Sequence, residues 1–166
     1  TTKMGVVAPI LYADVAILDA TFTQGLPAHI TAATGIDAMV HAIEAYTSNV
    51  KKNFYADMLA QNALKLLNHN LTKVLKNGAD LEARQNMLVG SMLAGQAFAN
   101  APVGAVHALA YPLGGHFHLS HGHSNALVLV EVLKFNAPKA KQHYADLMQL
   151  LDPRSTGCTD GLCDLF

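Results

Sequence analysis

Val106-His107-Ala108-Leu109-Ala110-Tyr111-Pro112-Leu113-Gly114-Gly115-His116-Phe117-His118-Leu119-Ser120-His121-Gly122-His123 holds five of the chain's nine histidines. The apolar run 103–113 around His107 predicts a helix, ended by Pro112 and the Gly114-Gly115 pair. A second apolar run, 125–135, follows His121, with Ser120 in an N-cap position. The reading is a helix–loop–helix corner that sets His107 and His121 facing each other. Imidazole is the commonest side-chain metal ligand, and a corner fixes two of them without help from distant chain.

The 166 residues suit one domain. Apolar residues make up 51% and charged residues 14%, with no tryptophan, which describes a well-filled core with little solvated surface. The apolar excess also points to a face buried against something else. A net charge of -1 leaves no nucleic-acid footprint and no patch for an acidic membrane. The most apolar window, 97–115, is interrupted by Pro102, His107 and Pro112, so no membrane span is expected. No signal peptide is visible, and a cytoplasmic location is expected. Cys158 and Cys163 have a C-x4-C spacing unlike a zinc knuckle and are read as reduced thiols without a role. The opening Thr1-Thr2-Lys3 and the end at Phe166 read as a segment cut from a longer protein.

Outward from the corner, the chain reads as mainly α. Two short β-type runs, Val6-Val7 and Val15-Ala16-Ile17-Leu18, look like the end of a sheet whose other strands are missing, so 1–26 is set apart from a helical bundle over 27–166. Helices are expected over 27–47, 53–76 and 81–100, then on both sides of the corner, then over 138–150. Residues 155–161 read as a polar loop. Gly90, Ser91, Ala94, Gly95 and Ala97 make the third helix thin enough for the middle of a bundle.

The first helix carries Asp37 and His41 four residues apart, on one face, with Glu44 and Ser48 continuing the stripe. A carboxylate among Ile36, Met39, Val40 and Ile43 needs a partner when buried. That partner is either the imidazolium of His41 or a metal ion shared by both. Joined to His107 and His121, the set is one carboxylate and three imidazoles, which suits Fe²⁺ or Zn²⁺ better than Ca²⁺ or Mg²⁺. His29, His69 and His143 read as surface residues. His116 and His118 read as lining a pocket or loop, and His123 as pointing away.

Thr34-Gly35-Ile36-Asp37-Ala38-Met39-Val40-His41-Ala42-Ile43-Glu44-Ala45-Tyr46 resembles the signature of the iron-containing (group III) alcohol dehydrogenases. So does Gly104-Ala105-Val106-His107-Ala108-Leu109-Ala110-Tyr111-Pro112-Leu113-Gly114-Gly115, followed by His121-Gly122. The resemblance runs from about Lys3 to Leu151. It implies a two-domain, dehydroquinate synthase-like fold: an N-terminal α/β domain for NAD or NADP, of which 1–26 would be a remnant, and a helical domain for the metal. The implied ligands are Asp37, His41, His107 and His121, holding Fe²⁺ or, in some relatives, Zn²⁺. The implied reaction is reversible hydride transfer between a small alcohol and NAD(P), with the metal polarising the alcohol oxygen. Implied partners are the alcohol or aldehyde, the N-terminal cofactor domain and further copies in a homo-oligomer. Tyr111 stands where the family often has histidine, and the chain has no Gly-rich phosphate-binding turn. Tyr111, one turn after His107, and His116 are expected to border the substrate, with Phe98 as an apolar wall and His121 as the catalytic ligand. Two other readings remain beside this one. One is a non-catalytic metal-binding or assembly module without the cofactor half. The other is a metal hydrolase with Glu44 as its base.

Overall fold

The computed structural model describes residues 6, 8–154 and 159–166, the side chains of Thr159 and Asp160 excepted. Among these residues the helices are α1 (Ala28–Thr47), α2 (Phe54–Lys76), α3 (Leu81–Asn100), α4 (Ala105–Phe117), α5 (His121–Leu151) and α6 (Thr159–Leu165). The first three start where local chemistry permits. Pro27 precedes α1, where its missing N–H leaves no bond unmade. The Asn53 side chain accepts from the Ala56 N–H at 2.8 Å at the head of α2. Asp80 does the same for Ala83 at 2.9 Å at the head of α3.

α1 is the central helix and packs on α2, α3 and α5. Its Val40, Ala42, Ile43 and Ala45 are buried together with Leu64 and Leu67 of α2, Ala94 and Ala97 of α3, and Leu129, Leu133 and Leu147 of α5. Each buried leucine contributes roughly 1.5–3 kcal/mol relative to exposure. The thinness of α3 serves its contact with α2: a Cβ on Gly90 would come within 2.8 Å of Leu67 Cγ.

Three expectations about the elements need correction. α4 does not stop at Pro112 or at Gly114-Gly115 but runs on to Phe117. α5 does not break before Pro138, so the two helices expected over 125–135 and 138–150 are one helix of 31 residues. An interior proline removes one hydrogen bond and costs about 3 kcal/mol. Pro112 and Pro138 both lie on exposed sides, as do Ala108 and Lys134 one turn earlier, so water can take up the orphaned carbonyls. The opposite faces are buried: Val106, Ala110 and Gly114 in α4, and Leu129, Val132, Leu133, Ala140, Tyr144 and Leu147 in α5. The third correction concerns the strands. Residues 15–18 form no strand, because no neighbouring strand among the described residues offers them a ladder, and Val6 is likewise outside any strand. Val7 lies outside the described residues. The segment instead forms 3-10 turns at Pro9–Leu11 and Ala20–Thr23, the second resting on α3.

Of the loop expected over 155–161, residues 155–158, including Cys158, lie outside the described residues. The final part belongs to α6, whose Leu162 is buried in the core and whose Cys163 packs against it. No helix of the described residues is long and apolar enough to cross a membrane.

Candidate metal centre

α1, α4 and α5 each deliver part of one polar cluster. On α1, three- and four-residue spacing puts Asp37, His41 and Glu44 along one side. α4 brings His107 in its first turn, and α5 brings His121 at its first residue. The approach of α5 to α1 depends on Gly122. A Cβ there would lie 2.1 Å from the Ala33 carbonyl oxygen, so only glycine lets the two backbones touch beside His121. Ser120 occupies the N-cap position, but its side chain makes no capping bond; its carbonyl accepts from the Ser124 N–H and hydroxyl instead. His118, in the left-handed region at φ 56°, turns the chain from α4 into the link to α5.

Asp37, His107 and His121 offer ligand atoms that all lie within 4.8 Å of one another. Asp37 Oδ1 is 3.7 Å from Nε2 of His107 and 3.7 Å from Nε2 of His121. His41 stands outside this group of three, with its ring centroid 4.2 Å from that of His107. Its Nδ1 is 2.8 Å from the Asp37 carbonyl oxygen. A carbonyl only accepts, so Nδ1 carries the proton and Nε2 keeps a lone pair.

His107 is oriented from behind. Its Nδ1 donates to Glu44 Oε2 at 2.6 Å, and Glu44 Oε1 accepts from the Val106 N–H at 2.7 Å. This carboxylate–imidazole pairing is the one that turns Nε2 of a ligating histidine toward an ion. Both oxygens of the buried Glu44 are engaged in this way, so it is not free to act as a base for the hydrolase reading. Glu44 is instead a positioning residue, a role that reasoning from the sequence did not give it. Asn125 was missed. It is fully buried, its Nδ2 donates to Asp37 Oδ1, and the same atom is 3.3 Å and 3.4 Å from Nε2 of His107 and His121. Each was detectable as a polar residue on an apolar face, one turn beyond a proposed ligand.

The electrostatics follow from burial and these neighbours. Burial pulls His107 down, but hydrogen bonding and charge from Asp37 and Glu44 outweigh it and raise the imidazole to about 9. Burial pushes the Asp37 carboxyl up, yet His107, His41, Asn125 and His121 together hold it below its usual value. Burial, then the charge of His107, lowers His41. Near neutral pH, without an ion, His107 is therefore an imidazolium between two carboxylates, and His41 is neutral.

Other expected site residues are placed less tightly. The Tyr111 ring stacks on His121 at 5.7 Å, and Phe98 lies 4.7 Å from the His41 ring, so both border the cluster. His116 is exposed near the end of α4 and makes none of the cluster's contacts. His29, His69 and His123 are exposed, and half-buried His143 meets the edge of Tyr46.

A divalent ion fits the residues present. One carboxylate and the imidazoles form a borderline donor set, and Asn125 Oδ1 is a buried acceptor with no partner beside it. The family model for the Fe-containing alcohol dehydrogenase family, C-terminal, matches residues 31–162. The chain belongs to that family. Long-chain-alcohol dehydrogenase 1 of Geobacillus thermodenitrificans is 47% identical over 156 residues, covering 94% of this chain. The chain spans only 39% of that relative's length. A crystal structure of 1,3-propanediol oxidoreductase superposes with a TM-score of 0.84 at 38% identity, over 88% of this chain and 39% of the other. The iron-containing alcohol dehydrogenase from Thermococcus thioreducens does so with a TM-score of 0.88 at 32% identity, over 96% of this chain and 41% of the other. These relatives bear out the family resemblance and the helical fold.

Proposed function

We propose that this chain is the metal-binding helical part of an alcohol dehydrogenase. Asp37, His41, His107 and His121 hold one divalent ion, Fe²⁺ with Zn²⁺ as the substitute. The observation that carries the reading is the convergence of Asp37 Oδ1 with Nε2 of His107 and His121, backed by Glu44 and Asn125. His41 joins as the fourth ligand because its tautomer leaves Nε2 free of the Asp37 carbonyl. An ion held there supplies Lewis acidity toward an alcohol or carbonyl oxygen. Tyr111 and Phe98 flank the cluster as walls for a small alcohol, and the exposed His116 near the end of α4 borders the substrate from outside the cluster.

The reaction proposed for the whole protein is reversible hydride transfer between that alcohol and NAD or NADP. Hydride transfer needs an acceptor held close to the reacting carbon. We assign that acceptor to a further α/β domain, to which residues 1–26 lead and against which the helical part, 27–166, closes its site. The exposed Ile10, Leu11, Tyr12, Val15, Ile17 and Phe22 support such a contact, in a cytoplasmic homo-oligomer.

Two measurements on anaerobically purified protein test this. Metal analysis should find one ion per chain in the wild type and a marked loss in His121→Ala; equal metal content in both would remove the ligand assignment. Alcohol oxidation should require the dinucleotide domain, supplied in the same chain or in trans. Turnover by these 166 residues alone would show that the cofactor binds elsewhere than proposed.

A further inference from the structure

We infer that Asn125 is a positioning residue for the metal centre, holding the Asp37 carboxylate ready for the ion at the expense of the empty site's stability. The inference rests on the metal reading above. Asn125 lies one turn after His121 on the same face of α5 and is fully buried. Every polar neighbour of its side chain is a proposed ligand: Nδ2 donates to Asp37 Oδ1 and lies 3.3 Å from His107 Nε2 and 3.4 Å from His121 Nε2. At its other end Oδ1 is buried with no partner, the one such atom among the described residues.

That asymmetry separates Asn125 from a plain core asparagine. Asn70, comparably buried on α2, donates to the Leu66 carbonyl at 2.8 Å and leaves no orphaned atom. An unsatisfied buried acceptor is destabilising, and a leucine of nearly the same shape would have none but would also lose the donor to Asp37. The amide therefore acts on its ligand neighbours rather than on the core. Its chemistry suits the task. A carboxylate free to rotate must be ordered before it can ligate, and an N–H donated to it supplies that order. A lysine or arginine would order it as well, but its charge would repel an incoming cation. A carboxamide is the neutral donor that fixes Asp37 without that repulsion.

The experiment compares wild type, Asn125→Leu and Asn125→Ala by Zn²⁺ titration against a chelator and by thermal unfolding of the metal-free proteins. Asn125→Leu should fold, while its Zn²⁺ affinity falls about 10–100-fold. Asn125→Ala carries the affinity test should the leucine variant fail to fold, and should show a loss of the same order. Wild-type affinity in the variants, with or without a drop in unfolding temperature, would make Asn125 an ordinary packing residue and overturn the inference while the metal reading stands. Failure of the folded wild type to bind Zn²⁺, Fe²⁺ or Co²⁺ would overturn both.

Discussion

α1 meets the α2–α3 hairpin mainly through apolar and small residues: Leu64 and Leu67 are wholly buried, Gly35 sits where a Cβ would strike Leu71, and the buried Arg84 of α3 donates to the Thr31 hydroxyl of α1. It meets α4 and α5 through Glu44, His107, Asp37, His121 and Asn125, with one buried acceptor left unpaired. The buried polar pair of the first contact is satisfied, with Arg84 donating to the Thr31 hydroxyl and to the Gly78 carbonyl. The second keeps charges and an orphaned atom inside the fold, where a purely apolar corner would be more stable. The difference teaches where stability and function lie: the hairpin holds α1 in place, and the corner uses that fixed helix to aim ligands.

The sharpest way to break the comparison is His107→Ala. It strips Glu44 and Asp37 of their shared imidazolium, and removing one partner of a buried pair costs about 3–5 kcal/mol. Chemical denaturation of the metal-free variant should show that loss, and metal analysis should show the site gone. Leu67→Ala, on the hairpin side, should cost about 2–5 kcal/mol of stability. Its ion affinity, measured below its unfolding temperature, should stay at the wild-type value. A large change in affinity would mean that the two sides are not separate.

A pH titration sharpens the contrast further. The folded-state value of His107 is raised from 6.5 to about 9. Its contribution to stability is therefore complete below about pH 6.5 and is lost as the pH rises through about 9. Metal-free wild type and Leu67→Ala should both lose stability across that window, and His107→Ala should not. Ion binding must displace the same proton, so affinity should rise by about tenfold per pH unit within the window. The smallest effect belongs to the end of the hairpin. Asp80→Ala removes the cap bond to the Ala83 N–H and should lower stability by about 1 kcal/mol, with ion affinity unchanged.

The hairpin was almost fully legible. Its helices begin and end within a residue of their expected positions, because Asn53, Asp80 and the Asn77-Gly78 turn act over one helical turn and need no distant contact. Pro112 and Pro138 misled for the opposite reason. A proline's local cost is readable, but the burial that outweighs it is set by which face meets α1 or α5. In α5 the recurrence of Leu129, Val132, Leu133, Ala140 and Tyr144 across Pro138 was the overlooked sign of one continuous helix.

Local spacing also put Asp37 with His41 and nominated His107 and His121, since i, i+4 geometry and a corner bring such pairs together without the rest of the fold. The sequence by itself thus determined the helical class, the first three helices and the candidate ligands. Only the tertiary structure decided that Asp37, His107 and His121 share one point, that Glu44 stands behind His107 rather than serving as a base, and that Asn125 lies among the ligands with an orphaned oxygen. The contacts from α1 span 62 to 88 residues of chain, and the approach of α5 to α1 depends on Gly122 letting two backbones touch, a steric fact that no local pattern of residue types carries.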